Sequence, residues 1–149
     1  MQVSAGSGDV TGENLAARTE VTTASGSIRL SYLGGEAVIR NSSGGVTIRE
    51  AKHSLRVRAS SGDVAIESVL TPGALWDVET ASGDVDLKLP PQSQFEVDGE
   101  SRGGGVHADF PLQITDKESK RGILRGSVGQ SDSRLRLRSH SGRIRLRKI

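Results

Sequence analysis

The chain of 149 residues contains no cysteine, so disulfides, thiolate metal sites and a thiol nucleophile are excluded. Aromatic side chains make up only 3% of it, too few for a thick core packed around large rings. Proline is scarce, at 4 residues. No apolar run approaches the roughly 20 residues that a membrane-spanning helix needs. The N-terminus lacks the basic and apolar regions of a signal peptide. Because Gln2-Val3-Ser4 already falls inside a repeat, the expectation is that an upstream export signal or anchor has been trimmed away.

Glycine is the opposite case, with 19 residues. Many of them recur in one pattern: Ser-Gly, a variable residue, then Val or Ile, beginning at Ser7, Ser25, Ser43, Ser61, Ser82 and Ser141. The first four serines stand 18 residues apart, and the next interval is 21, with the extra residues placed at a Thr71-Pro72-Gly73 loop. A degenerate copy runs from Phe95 to Ser101, its turn drawn out into Gly103-Gly104-Gly105.

Around each serine the apolar residues alternate with period 2, the mark of a strand buried on one side. Six, four and two residues before it come Thr19, Val21, Thr23; Ala37, Ile39, Asn41; Leu55, Val57, Ala59; Trp76, Val78, Thr80; and Leu135, Leu137, Ser139. Beyond the Ser-Gly pair the parity switches, to Ile28 and Leu30, Val46 and Ile48, Val64 and Ile66, Val85 and Leu87, Ile144 and Leu146. The glycine is therefore a corner, where a residue without Cβ lets both flanking strands face the same interior. A further apolar position at Leu15, Leu33, Ala51 and Val69 suggests a third side to the coil.

These features predict an all-β, single-domain parallel β-solenoid over residues 1–149, β-helix-like and right-handed, with 18-residue coils. Residues 1–90 read as regular coils and 91–149 as less regular ones with a C-terminal cap. The alternative is an antiparallel β-sandwich in which Ser-Gly-Asp forms hairpin turns; a strict period favours stacked coils. On the outer face, Arg56 is followed one repeat later by Asp77 and Arg58 by Glu79, opposite charges placed to meet across adjacent coils. Past Pro90-Pro91 the period loosens. Phe95 and Val97 restart a strand, Phe110, Leu112 and Ile114 alternate, Asp116 to Arg121 reads as an exposed charged loop, and Ile123 to Val128 is again strand-like. A last full repeat, Leu135 to Leu146, is expected to close the stack.

The residues that invite chemistry have simpler readings. The repeating serines lack a recurring base among His53, His107 and His140, so a hydroxyl ladder at the corners is expected, bonding neighbouring hydroxyls or turn amides. Asp9, Asp63 and Asp84 resemble calcium-site aspartates, but Ser27 and Gly45 interrupt the series; turn aspartates bonding their own backbone are expected instead. The histidines lie apart, without a second ligand at metal spacing. Gly103-Gly104-Gly105 lacks the Lys-Ser or Lys-Thr of a phosphate loop, and Trp76, at an inward position, reads as a core plug. No catalytic, cofactor-binding or metal-binding residue is assigned.

Charge is the one feature left over. Residues 1–116 carry 9 Lys and Arg against 16 Asp and Glu, a net of −7; residues 117–149 carry 11 against 2, a net of +9. In the last repeat Arg134, Arg136, Arg138, Arg143, Arg145 and Arg147 alternate with inward Leu and Ile and are joined by Lys148, forming a candidate basic binding surface. Such a surface would meet anionic lipid, lipopolysaccharide or the acidic coils of another copy, giving head-to-tail association. The few aromatics argue against nucleic acid.

The recurring Ser-Gly-Asp-Val, with Ala108-Asp109-Phe110-Pro111-Leu112, Leu124-Arg125-Gly126-Ser127-Val128-Gly129 and the closing Leu135 to Leu146 block, resembles a bacterial β-strand-repeat domain of unknown function that carries an adhesin label. The resemblance covers essentially the whole chain. It implies an envelope-associated, periplasmic or extracellular protein with no assigned catalytic residue and no cofactor, anchored by segments outside the repeats. The function expected is thus that of a non-enzymatic surface adhesin or scaffold. A self-assembling structural protein and a polysaccharide-acting β-helix enzyme are the alternatives.

Overall fold

The computed structural model describes residues 2–51, 53–68, 73–90, 94–109, 113–118, 123–129 and 133–148. Alternating side chains and corner glycines produce paired strands, one on each side of the core. Five regular coils come first: β1 (Gln2–Ala5) with β2 (Val10–Leu15), β3 (Thr19–Thr23) with β4 (Ile28–Leu33), β5 (Ala37–Asn41) with β6 (Val46–Ala51), β7 (Leu55–Ala59) with β8 (Val64–Glu67), and β9 (Leu75–Thr80) with β10 (Val85–Leu89). A sixth coil follows, β11 (Phe95–Ser101) with β12 (Val106–Ala108), and then β13 (Gln113–Glu118) and β14 (Ile123–Val128). The last coil is β15 (Arg134–Ser139) with β16 (Ile144–Lys148).

Equivalent residues of successive coils lie over one another in parallel register: Ala37, Leu55 and Trp76 in one sheet, Ile28, Val46, Val64 and Val85 in the other. The expected inward positions of the regular repeats and of the last one are buried, and their aliphatic side chains form one continuous core. Two sheets facing each other at about 10 Å need thin branched side chains rather than rings, which accounts for the Val, Ile and Leu content. Trp76 is fully buried, its indole Nε1 donating to the His53 carbonyl at 3.1 Å, as a core plug should. The predicted neighbours Arg56 and Asp77, and Arg58 and Glu79, are register partners. The chain is β-solenoid-like; among the described residues antiparallel pairing is confined to β11 with β14 and β14 with β13, which excludes the sandwich for the repeats.

Three expectations need correction. The coil has two sides, not three. Asn14, Tyr32 and Glu50 take left-handed backbone conformations, with φ of 55°, 57° and 56°, and each reverses the alternation for one step. Leu15, Leu33 and Ala51 therefore turn inward at the end of the same strand rather than on a third face. In the fourth coil a serine does this job: Ser68 Oγ accepts from the Ala51 amide at 2.9 Å and donates to the Ala51 carbonyl at 3.1 Å. Val69, Thr71 and Pro72 lie outside the described residues.

Second, the charged stretch from Asp116 is not a loop as far as Glu118, because Gln113–Glu118 is strand β13, paired antiparallel with β14. Main-chain hydrogen bonds support an edge strand whatever its side chains, so polarity alone does not exclude one. Phe110, Leu112, Lys120 and Arg121 lie outside the described residues. Third, the last repeat does not cap the stack. The strand order is β1-β3-β5-β7-β9-β15-β11-β14-β13 in one sheet and β12-β16-β10-β8-β6-β4-β2 in the other. The chain's final coil thus slides between the fifth and the sixth, and that end of the larger sheet is closed by β14 and β13. Phe95, Val97 and Leu135 share one core whichever order is used, so hydrophobic periodicity cannot distinguish the two stackings.

Candidate functional site

The repeated hydroxyl and carboxylate groups are spent at the corner. Gly26, Gly44, Gly62, Gly83 and Gly142 each sit so close to the carbonyl of the equivalent glycine on the neighbouring coil that a Cβ would overlap it. At Gly62, Gly83 and Gly142 this close approach alone demands glycine, and at Gly26 and Gly44 a φ of 111° and 105° adds to it. The residue two before the repeat serine points into the same corner. Thr80 Oγ1 accepts from the Gly83 amide at 3.2 Å and donates to the Gly62 carbonyl at 3.3 Å. Ser139 Oγ repeats this one coil on, with Gly142 N at 2.9 Å and Gly83 O at 2.9 Å, and Ser101 does so with Gly104 N at 3.2 Å and the Gly142 carbonyl. In the fourth coil the position is Ala59, which has no hydroxyl; Asn41 Nδ2 instead reaches the orphaned Gly44 carbonyl at 2.8 Å. Among the described residues, no buried side-chain oxygen or nitrogen of this spine lacks a partner, as the low dielectric of the interior requires.

The repeat serines themselves form a ladder of a different kind from the one expected. Ser43, Ser61, Ser82 and Ser141 donate to main-chain carbonyls of the preceding coil, at 3.1–3.4 Å, not to one another or to turn amides. The turn aspartates likewise look outward by one coil. Asp9 Oδ1 accepts from Ser27 N at 2.9 Å, Asp63 Oδ1 from Asp84 N at 2.9 Å, and Asp84 Oδ1 from Arg143 N at 2.8 Å. Sequence reasoning placed these groups at the corner but gave them other partners: neighbouring hydroxyls or turn amides for the serines and their own backbone for the aspartates, where the structure has main-chain groups of the adjacent coil. No group of three or more His, Cys, Asp or Glu that could hold a metal occurs among the described residues.

The candidate basic surface is not one face: Arg134, Arg136 and Arg138 lie on β15 in the larger sheet, and Arg145, Arg147 and Lys148 on β16 in the smaller sheet across the core. All seven cations lie on the last coil, which carries no carboxylate of its own. On one side the fifth coil brings Asp77, Glu79, Asp84 and Asp86; on the other the sixth brings Glu96, Asp98, Glu100 and Asp109. Arg136 stands between Asp77 and Asp98, Arg138 between Glu79 and Glu100, and Arg145 between Asp86 and His107. Arg134 pairs with Glu96 at 3.5 Å and Arg147 with Asp86 at 3.8 Å. Arg143 and Lys148 complete the set at the ends of β16. The row Arg56, Asp77, Arg136, Asp98, Arg125 alternates in sign across five strands, with Arg125 and Asp98 at 3.3 Å. Each exposed pair contributes at most a few tenths of a kcal/mol, but the alternation selects this order of coils over others. The premise of head-to-tail association, a basic end facing an acidic one, is thereby overturned: the basic coil lies inside the stack.

The histidines do not converge. His107 sits beside Arg145, His53 supplies its carbonyl to Trp76, and His140 borders a groove on the outer face of the larger sheet. That groove, of about 750 Å³, runs beside the corners and contains Arg40, Arg58, Glu79, Arg138 and Glu100. Arg40 was not singled out by sequence, because it belongs to the net-acidic part of the chain, and Arg58 was singled out only as the partner of Glu79. The signal that finds them is their spacing of one repeat at the same outward position.

No curated protein and no solved structure shows a significant match to this chain. A family model described as Toastrack DUF4097 does match, over residues 1–147, which spans both the regular coils and the rearranged end. The stacked parallel strands, the shared corner and this nearly full-length match together assign the fold and the family: the chain belongs to the Toastrack DUF4097 family, a bacterial β-repeat domain of unknown function.

Proposed function

We propose that this chain is a non-catalytic adhesion or scaffold module of the bacterial cell envelope, exposed in the periplasm or outside the cell and working without a cofactor. One observation carries the reading: the groups that recur with the repeat, hydroxyls and turn carboxylates alike, are committed to coil-to-coil hydrogen bonds. What the molecule offers to its surroundings is two broad, ordered arrays of exposed charge on a stiff stack. Such a surface suits recognition of an anionic envelope component by many weak contacts rather than transformation of a small substrate. The envelope location rests on the sequence resemblance.

The test is cosedimentation of the purified chain with isolated cell envelopes, together with fractionation of the full-length protein. Saturable, salt-sensitive binding and an envelope-associated pool are expected. A full-length protein confined to the cytosolic fraction, or no envelope binding at low salt, would overturn the reading.

A further inference from the structure

Among the described strand pairings, two put like charges in register on an outer face. Lys88 and Arg147 are one pair, and there the charge is compensated: Arg147 reaches Asp86 at 3.8 Å, and Glu67 lies beside Lys88. Arg40 and Arg58 are the other. Both are exposed, and neither forms an ion pair among the described residues. On its far side Arg40 has Thr22 as neighbour, and the nearest acid of that coil, Glu20, is already held by Arg18 at 3.0 Å. Adjacent like charges on a sheet face work against stability. A molecule that elsewhere alternates its charges strand by strand leaves Arg40 with no acidic register neighbour on either side, while Arg58 faces Glu79 on its far side.

Their surroundings define what would complete them. Ser42 and Ser60, two residues further along each strand, present exposed hydroxyls in the same groove. Beyond Arg58 the row continues with Glu79, Arg138 and Glu100. From Thr22 to Glu100 the row crosses five strand spacings, about 24 Å at about 4.8 Å each. Guanidinium forks recognise carboxylates in bidentate fashion, while hydroxyls and carboxylates exchange hydrogen bonds with sugar hydroxyls. A densely charged polyanion would be repelled by Glu79 and Glu100. A polymer with intermittent charge would not.

We propose that this groove binds an acidic polysaccharide in which carboxylated and neutral sugars alternate, lying along the stack axis with a carboxylate at Arg40 and Arg58. This inference rests on the adhesion reading and gives it a ligand class. The probe is a hyaluronan decasaccharide, alternating uronic acid and N-acetylhexosamine, titrated calorimetrically into the whole chain. The double variant R40Q/R58Q is expected to bind about tenfold more weakly. R29Q/R49Q, which removes the same net charge from exposed positions on the opposite sheet, is expected to change affinity by less than about twofold. Uniformly charged oligogalacturonate of equal length is expected to bind more weakly than the alternating probe. No binding by the unaltered chain, equal losses in both double variants, or tighter binding of oligogalacturonate would each overturn the assignment. Should R40Q/R58Q cosediment with isolated envelopes as well as the unaltered chain does, the groove fails and the envelope reading survives; should neither cosediment, the envelope reading itself fails.

Discussion

Residues 2–90 and residues 94–148 are made of the same repeat, yet they stack by different rules. In the first region each coil lies on its predecessor, and order in sequence equals order in space. In the second, the last coil enters between the fifth and the sixth, and two antiparallel strands take the end position. The contrast teaches that a hydrophobic period specifies which residues face inward but leaves open which coil lies next to which. Neighbour choice falls to what differs between coils, and the charge rows on the outer face differ, whereas Thr80, Ser139 and Ser101 make the same contacts at the corner.

The comparison can be broken most severely by deletion. Removing residues 133–149 takes an internal coil from both sheets, so β9 and β11 lose their shared partner. Loss of cooperative unfolding for the whole chain is expected by circular dichroism and urea titration, whereas removing residues 1–17 should leave a folded, slightly less stable stack. Survival of a cooperative fold after the first deletion would show that the last coil is peripheral. Within the inserted coil, Leu137→Ala empties a fully buried site and should cost about 2–5 kcal/mol in chemical denaturation.

At the corner, Ser139→Ala strands the Gly83 carbonyl and the Gly142 amide together and should cost about 1–3 kcal/mol. Ser141→Ala, which removes only an exposed 3.4 Å contact, should change stability by less than about 0.5 kcal/mol. Equal effects would mean that the buried spine matters no more than the outer ladder. The smallest expected change is a gain. Glu50 holds a left-handed backbone at φ 56°, so Glu50→Gly should raise stability by about 0.5–1 kcal/mol, read as a higher unfolding midpoint.

Much of this architecture was legible before any coordinates. The corner glycines, the inward columns from Thr19 to Leu87 and the pairing of Arg56 with Asp77 follow from period and parity alone. The two-sided cross-section was not legible, because a left-handed Tyr32 or Glu50 has no sequence signature, unlike an expected glycine or asparagine at such a step. Nor was the fate of the C-terminal arginines. Counting charge along the chain made them a basic end, while the actual neighbours of Arg136, Asp77 on one side and Asp98 on the other, are distant from it in sequence and adjacent to it only in the stack. For the same reason Arg40, hidden in a net-acidic segment, was overlooked, and Arg58 was read only as the partner of Glu79.

The interleaving of the last coil is the claim on which the charge rows and the reassigned site depend, and the absence of native cysteine makes it directly measurable. Asp98 and Arg136 are register partners on neighbouring strands, so D98C/R136C should close an intramolecular disulfide on oxidation. Asp77 and Asp98 would be partners only if the coils stacked in chain order; with β15 between them their Cα atoms are about 10 Å apart, and D77C/D98C should stay reduced or link between molecules. Intramolecular closure of D77C/D98C, with none in D98C/R136C, would contradict the account.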